Sequence, residues 1–257
     1  MKTRAVLFGV NYCNTKSELK GPVNDIANMK LFLESINFNN ISTHTDAVSG
    51  CRDDVTGRGI LKILNNLVKE SYKDNLDIIF IYWSGHGTSI ECNDGDEDDG
   101  QDECICPVDY ETNGLITDDV LSDIIHMINC KTKVIFVCDS CHSGTILDLK
   151  YHYLIDTHKY LDTSRGGLVP KILCISGCLD SQTSADAYNL YNMQKYSGAL
   201  TSCFLDIVTL YPECKNNVFL LLSKLHIELQ KFNLDQLPQL TSSYELEKDS
   251  VFLPNIV

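Results

Sequence analysis

Two side chains suited to nucleophilic chemistry follow two strand-like runs of the sequence. Cys141 comes after the branched apolar run at 134–137, and His86 comes after the run IIFIYW at 78–83. Serine and glycine flank both side chains, so each run ends in a small-residue turn that leaves its reactive group accessible. A thiol beside an imidazole is the pairing of a nucleophile with its general base. The two positions therefore predict a Cys/His dyad.

The dyad requires the two runs to be neighbouring strands of one parallel sheet. Reactive groups gather at the carboxyl ends of such strands, which lie about 4.8 Å apart. His86 would take the thiol proton and return it to a leaving amine, and amides at Gly87 and Cys141 would stabilise the oxyanion. A lone cysteine is more often a small buried hydrophobe, and the chain contains twelve cysteines. The matched position of His86 favours catalysis over that alternative.

The elements that would position the dyad alternate along the chain. Strand patterns at 4–10 and 41–45 alternate with a helix predicted to begin at Asn24 and a second helix capped by Thr56. Thr117 is predicted to cap a third helix, which leads into the strand of the nucleophile. This alternation predicts an α/β fold with a mostly parallel central sheet and helices on both faces.

The second half of the chain has weaker patterns. Residues 150–169 lack periodicity and are predicted to be a long surface connection. Beyond it we predict a buried strand at 171–176, followed by a polar candidate substrate-binding loop at 177–189. Two amphipathic helices are predicted at 197–210 and 217–232, and a short strand at 250–254.

Composition restricts the class of protein and its partners. A net charge of −14 and a pI near 4.8 disfavour binding to nucleic acid or anionic membranes and favour basic partners. Cysteines spread through predicted strands and helices indicate a reducing compartment rather than a disulfide framework. The N-terminal apolar run lacks the length and cleavage site of a signal peptide. We therefore expect a soluble, cytoplasmic protein.

The segment at 91–103 carries eight acidic residues and no basic one. Such a composition is typical of a solvated flexible loop, and the alternative is a calcium-binding loop. An EF-hand is excluded, because counting from Asp94 places Asp99 at the glycine position and Ile105 at the glutamate position. Any calcium site here must be built differently.

Longer stretches of the sequence resemble the metacaspases, the caspase-like cysteine peptidases of family C14. They cover nearly the whole chain in the family's order, and together they are highly specific. The resemblance implies a caspase-like α/β/α sandwich and identifies His86 and Cys141 as the catalytic pair. The matching stretches are FGVNYC, LKGPVNDIANM, YWSGHGT, CICPVD, LITDD, DSCHSGTILDL, SGCLDSQTSADA, YSGALT and QLPQLTSS.

The resemblance also implies a preference for Arg or Lys before the cleaved bond. The residues that correspond to the family's basic-side-chain pocket are Asp25, Ser84 and Asp139. Two carboxylates at one pocket would suit a guanidinium or ammonium group. For Asp25 the alternative is a carboxylate favoured at a helix N-terminus by the dipole.

An activating calcium ion is the cofactor that the resemblance implies. All the corresponding ligands are carboxylates, which suit a hard cation. The alternative for Asp118 and Asp119 is that they are ordinary acids in the first turn of a helix, and the alternative for Asp148 is an ordinary loop acid. The implied ligands are Asp102, Asp118, Asp119 and Asp148.

One caspase-like domain is expected over residues 1–257. Its parts would be a large-subunit-like portion at 1–149, a connection at 150–169 that is short as in type I metacaspases, and a small-subunit-like portion at 170–257. Because the chain starts at the first core strand, we expect no N-terminal prodomain. Pro22 stands where many members have a cysteine, which is expected to change the pocket wall. Possible self-cleavage sites in the connection are Lys150, Lys159 and Arg165.

We therefore expect a calcium-activated endopeptidase that acts as a monomer on protein or peptide substrates. The main alternative is a catalytically weak regulator that binds partners through the same groove, and a caspase specific for Asp is more distant. Retention of Cys141 and His86 argues against the regulator. An Asp-specific pocket would require arginines where this chain offers acids.

Overall fold

A central sheet of eight strands organises the computed structural model, which describes residues 1–47, 52–92, 100–141, 143–153, 160–162, 169–177, 186–188, 196–232, 236–254 and 256. The strand order is β2-β1-β3-β7-β10-β13-β8-β9. Its strands are β1 Thr3–Gly9, β2 Ile41–Thr45, β3 Ile78–Ser84, β7 Lys133–Asp139, β8 Tyr151–Tyr153, β9 Tyr160–Asp162, β10 Lys171–Ser176 and β13 Gln239–Ser242.

The first five strands in this order are parallel, and β13 is antiparallel to β10. A small three-stranded antiparallel sheet stands beside them, and a two-stranded one lies later in the chain. Their strands are β4 Gly87–Glu91, β5 Gln101–Ile105 and β6 Ile116–Thr117, and β11 Asp186–Tyr188 with β12 Tyr196–Gly198. The mostly parallel α/β fold predicted from the sequence is confirmed.

Among the described residues six α-helices accompany the sheet: α1 Pro22–Ser35, α2 Gly57–Lys73, α3 Tyr110–Asn113, α4 Asp118–His126, α5 Ala199–Leu210 and α6 Val218–Lys231. The predicted caps Thr56 and Thr117 are confirmed, since their hydroxyls accept from Gly59 N–H at 3.1 Å and Val120 N–H at 3.4 Å. Within the part of the chain that the structure describes, no helix is long and apolar enough to cross a bilayer.

The predicted start of α1 is wrong, because Gly21 rather than Asn24 is its N-cap. Pro22 occupies the first turn, where its fixed φ suits a helix and its missing N–H has no intrahelical partner to lose. Asn24 lies inside that turn, and its side-chain amide donates to the Tyr196 carbonyl at 2.9 Å. The proline was thus a stronger start signal than the asparagine.

Alternation along the strands divides the core into two layers. In β3, Phe80 and Tyr82 join the core on the side of α1, α5 and α6, whereas Ile79 and Ile81 join the core on the side of α2 and α4. This period of two is the expected geometry of a strand covered on both faces. The arrangement is the predicted sandwich of a sheet between two helical layers.

Three segments differ from their sequence predictions. The connection at 150–169 contains β8 and β9, which add to the sheet through β13, and three-residue strands are too short for periodicity to reveal. The acidic segment enters β5 from Gln101 onward rather than remaining a loop. The terminal residues at 250–254 form no strand, and their apolar character instead reflects Phe252 and Leu253, which are buried in the core.

Several predictions concern residues outside those that the structure describes. Most of the candidate substrate-binding loop at 177–189 falls there, namely 178–185 and 189. The possible self-cleavage sites Lys159 and Arg165 also lie outside the described residues.

Candidate active site

Adjacent parallel strands deliver His86 and Cys141 to the same end of the sheet. In the β3–β7 register Ser84 is opposite Asp139, and each reactive residue follows two positions later. The turn after His86 lies directly against the backbone of the nucleophile, because a Cβ added to Gly87 would stand 2.2 Å from the Cys141 carbonyl oxygen. Both reactive residues are half-buried. The structure therefore brings together the two residues that the sequence paired, along with the predicted oxyanion residue Gly87.

The imidazole of His86 is held from both sides by residues that the sequence did not single out. Its Nε2 lies 2.8 Å from the Ser17 carbonyl oxygen, and its ring packs against Tyr12 with centroids 4.7 Å apart. Because a carbonyl only accepts, Nε2 of the neutral ring carries the hydrogen and Nδ1 remains free to accept a proton. This tautomer is the one a general base at Nδ1 requires.

Tyr12 fixes the turn that carries His86. Its hydroxyl accepts from the His86 N–H at 2.9 Å and donates to the Cys106 carbonyl at 2.6 Å. Its backbone φ of 53° lies in the left-handed region, which is uncommon for a bulky residue and is typically found beside functional sites. Tyr12 and its neighbours belong to the stretch FGVNYC, so the motif contained the residue without revealing its contacts.

The predicted pocket residues Asp25, Ser84 and Asp139 also come together. The Ser84 hydroxyl donates to Asp25 Oδ2 at 2.9 Å. A Cβ built on Gly198 would stand 3.1 Å from Asp25 Oδ2 and 2.1 Å from Asp139 Oδ2, so both carboxylates converge on one point. Both acids are almost fully buried, at 0% and 4% exposed. A role at the helix N-terminus, the alternative considered for Asp25, therefore does not account for its contact with the other acid.

A segment near β12 supplies donors to both carboxylates. The Ser197 hydroxyl and the Gly198 N–H donate to Asp25, and Thr201 donates to Asp139 Oδ2 from its N–H at 2.8 Å and its hydroxyl at 2.6 Å. Gly198 has no room for a side chain. These three residues lie in the stretch YSGALT, which carried the family resemblance but no residue-level prediction.

Burial and mutual repulsion perturb the pocket. Burial and, to a smaller extent, the Asp139 carboxylate raise the pKa of Asp25 to about 7, against the opposing effect of the hydrogen bonds from Ser197, Gly198 and Ser84. Two buried carboxylates without a cation between them disfavour the doubly ionised state. A bound guanidinium or ammonium group would remove that penalty.

Three of the four predicted calcium ligands form one acidic group. Carboxylate oxygens of Asp102, Asp118 and Asp119 all lie within 4.8 Å of one another. Among the described residues Asp102 Oδ1 is buried and has no hydrogen-bond partner. Burial also raises the pKa of Asp118 to about 6. A buried carboxylate oxygen aimed into such a group fits a hard cation.

Asp148, the fourth predicted ligand, is not a member of that group of three. It lies in the loop after Cys141 with a φ of 45°, and its N–H donates to the Thr145 carbonyl at 2.7 Å. The structure therefore places Asp148 on the loop that follows the nucleophile rather than within 4.8 Å of all three acids.

Comparisons with known proteins identify the family of the chain. The family described as "Metacaspase, peptidase C14 domain" matches residues 3–150. Metacaspase-2 of Trypanosoma brucei brucei is 32% identical over 270 residues, covering 97% of this chain and 75% of the relative. Metacaspase-1 of Candida albicans is 31% identical over 311 residues, covering 98% of this chain and 67% of the relative.

Solved structures share the fold at lower sequence identity. A crystal structure of a Geobacter sulfurreducens protein has a TM-score of 0.68 at 22% identity and covers 98% of this chain and 99% of its own. Caspase-1 from Spodoptera frugiperda has a TM-score of 0.63 at 11% identity and covers 99% of this chain and 90% of its own. With a family match over residues 3–150 and relatives above 30% identity along nearly its full length, the chain belongs to the metacaspases, cysteine peptidases of family C14.

Proposed function

We propose that this metacaspase is a calcium-activated endopeptidase that cleaves after Arg or Lys through a Cys141/His86 dyad. The observation that carries the proposal is the convergence of two buried carboxylates, Asp25 and Asp139, beside the strand ends that present the dyad. A cationic substrate side chain held there would place the following peptide bond near the thiol.

The dyad would act by acyl transfer. His86 Nδ1 takes the Cys141 proton, and the thiolate forms a bond to the substrate carbonyl carbon. The protonated imidazole then gives its proton to the leaving amine as the peptide bond breaks. Water attacks the resulting thioester, His86 accepts a proton from that water, and the thiol is regenerated. The Ser17 carbonyl supports this cycle because it orients the ring through Nε2.

The chemistry of the pocket favours cations over a carboxylate side chain. A guanidinium can bind both the Asp25 and the Asp139 carboxylate in this site shielded from water, and its positive charge would allow both acids to ionise. A substrate aspartate would meet two acids, and the donors that the described residues provide to them are uncharged, namely Ser84, Ser197, Gly198 and Thr201.

Calcium would be held by Asp102, Asp118 and Asp119, with Asp148 as the ligand contributed by the loop after Cys141. Bound calcium would neutralise carboxylates that repel one another and would order the segments that carry them. A flexible multi-carboxylate site suits calcium better than magnesium, which demands a strict octahedron. The clustering of three carboxylates and the buried Asp102 Oδ1 support this assignment.

Calcium dependence gives the first prediction. We expect wild-type enzyme to cleave fluorogenic peptides ending in Arg or Lys, but not Asp, and to do so only with calcium present. Asp118→Ala should lose both calorimetric calcium binding and activation, because it removes a central ligand. Asp109→Ala is the matched control, since this acid accepts from the Gly57 N–H away from the acidic group. Full wild-type activity in chelator, or normal calcium titration of Asp118→Ala, would contradict the proposal.

A monomer acting in a reducing compartment is part of the same proposal. The edge of β13 that β10 leaves open is paired by β8, so this strand does not offer a free edge to a second copy. None of the ten cysteines among the described residues is paired in a disulfide, which suits the cytoplasm. Protein or peptide substrates follow from the family.

A further inference from the structure

Glu103 is a buried acid that the dyad and the pocket do not use. It lies on β5 immediately after Asp102 and is only 1% exposed. A buried carboxylate is costly to maintain unless strong hydrogen bonds compensate for the lost water. Its contacts on two sides therefore indicate what the residue does.

On one side Glu103 is fixed to the acidic group. Its backbone N–H donates to Asp118 Oδ2 at 2.9 Å, and its preceding neighbour Asp102 is a member of the same group. Any displacement of Asp118 is therefore transmitted directly to the backbone of Glu103.

On the other side Glu103 holds the loop of the nucleophile. Its Oε2 accepts from the Thr145 hydroxyl at 2.5 Å, and Thr145 follows Cys141 by four residues. The Thr145 carbonyl in turn accepts from the Asp148 N–H at 2.7 Å. This buried hydrogen bond joins the two segments, and leaving one of its partners unsatisfied in the core would be costly.

The described part of this loop, residues 143–149, is packed against the core. Ile146 and Leu147 are each 1% exposed and belong to the core on the side of α2 and α4, and the Ser143 hydroxyl bonds the Ser140 carbonyl at 2.9 Å. Close-packed segments transmit displacement rather than absorb it. A shift at Thr145 is thus expected to reach Cys141.

We propose that Glu103 is a positioning residue that couples the acidic group to the loop of Cys141 through Thr145. The inference rests on the proposed calcium activation and names the contact that transmits it. Asp118 holds the Glu103 backbone, the Glu103 carboxylate holds Thr145, and Thr145 positions the nucleophile. Coupling is a free energy shared between two sites, so a substitution can abolish the coupling while both sites remain intact.

Thr145→Val tests the coupling, because it removes the hydroxyl while leaving every carboxylate in place. We expect calcium affinity by calorimetry to stay within about twofold of wild type, while the calcium-dependent increase in kcat and in the alkylation rate of Cys141 falls about tenfold or more, as expected when a buried hydrogen-bonding group loses its partner. Thr145→Ser should restore both increases. Thr132→Val is the matched control, since its hydroxyl bonds the Leu76 carbonyl at 2.7 Å in another part of the core.

Two outcomes would overturn the coupling alone. One is a Thr145→Val enzyme that calcium activates as strongly as wild type, and the other is a variant that loses calcium binding together with activation, which would make Thr145 part of the ion site. A wild-type protein that neither binds calcium nor responds to it would instead overturn the proposed calcium activation and the coupling with it. The wild-type titration therefore separates the two failures.

Discussion

Replacing Cys141 with alanine is expected to reduce peptide cleavage by a factor on the order of 10⁴ or more, because the covalent step then has no nucleophile. His86→Ala should be nearly as damaging, since without the base at Nδ1 the thiol loses its proton acceptor. The measurement is kcat/KM with an Arg peptide at saturating calcium, together with the rate of thiol alkylation.

Non-additivity is the sharper part of this prediction. When two residues act as one catalytic unit, removing both lowers activity little more than removing one. The double variant Cys141→Ala/His86→Ala should therefore have about the same kcat/KM as the single variants. Cys130→Ala is the matched control, because Cys130 is exposed and lies away from the site. Comparable turnover by Cys141→Ala, or a double variant far worse than either single one, would contradict a shared mechanism.

The pocket carries the second large effect. Asp25→Asn or Asp139→Asn should weaken cleavage of Arg peptides by about 2 to 5 kcal/mol, the range for losing one member of a desolvated charge pair, which corresponds to roughly 30-fold to several thousandfold in kcat/KM. Asparagine preserves the shape of the side chain, and at position 25 one of the two hydroxyls, Ser84 on Oδ2 or Ser197 on Oδ1, would turn to accept from the new amide NH2. Asp109→Asn removes one charge elsewhere and should leave kcat/KM unchanged.

The raised pKa of Asp25 predicts how the pocket responds to pH. Below its pKa of about 7 Asp25 is largely protonated and only Asp139 attracts a cation, whereas above it both carboxylates are charged. The affinity of Cys141→Ala protein for agmatine, a small guanidinium ligand, should therefore rise between pH 6 and pH 8. Binding near pH 7 should release protons, and calorimetry in buffers of different ionisation enthalpy measures that release. Affinity independent of pH in this range would contradict the assignment.

The same raised pKa predicts that folding stability falls with rising pH, whereas the affinity for a cation rises. A carboxyl whose pKa is higher in the folded state than in the unfolded chain binds more protons when folded, so folding stability falls as pH rises from the ordinary value of 3.8 toward about 7. Removing that penalty is what a cationic ligand does. Agmatine should accordingly raise the melting temperature more at pH 8 than at pH 6.

The placement of His86 and Cys141 after neighbouring strand ends was predictable because it depends on local features. An apolar run followed by a small-residue turn identifies a buried strand end, and two such ends in a parallel sheet meet at one edge. The observed register of Ser84 with Asp139 is the physical basis of that prediction. The caps Thr56 and Thr117 were likewise predictable from the sequence, because a cap acts within one helical turn.

The rest of the site depends on contacts between segments far apart in sequence. Tyr12 meets His86 across 74 positions, and Ser197 meets Asp25 across 172, so no local pattern encodes either contact. Glu103 was hidden for a different reason. Its acidic neighbours made it resemble a solvated loop residue, whereas pairing in β5 buries it.

The short strands β8 and β9 show the same limit for the fold. Each has three residues, which is too few for alternation to be distinguished from chance. Their strand conformation comes from pairing with β13 and with each other, an interaction that local propensity does not contain.

The central claim is that Asp25 and Asp139 select a positive side chain for cleavage by Cys141. The most direct test is kcat/KM for two fluorogenic peptides that differ only in Arg or citrulline before the cleaved bond, since citrulline keeps the shape of arginine and loses its charge. The account predicts that wild-type enzyme at saturating calcium prefers Arg by about 30-fold or more, and that Asp25→Asn largely abolishes the preference. Equal cleavage of the two peptides by wild-type enzyme would contradict it.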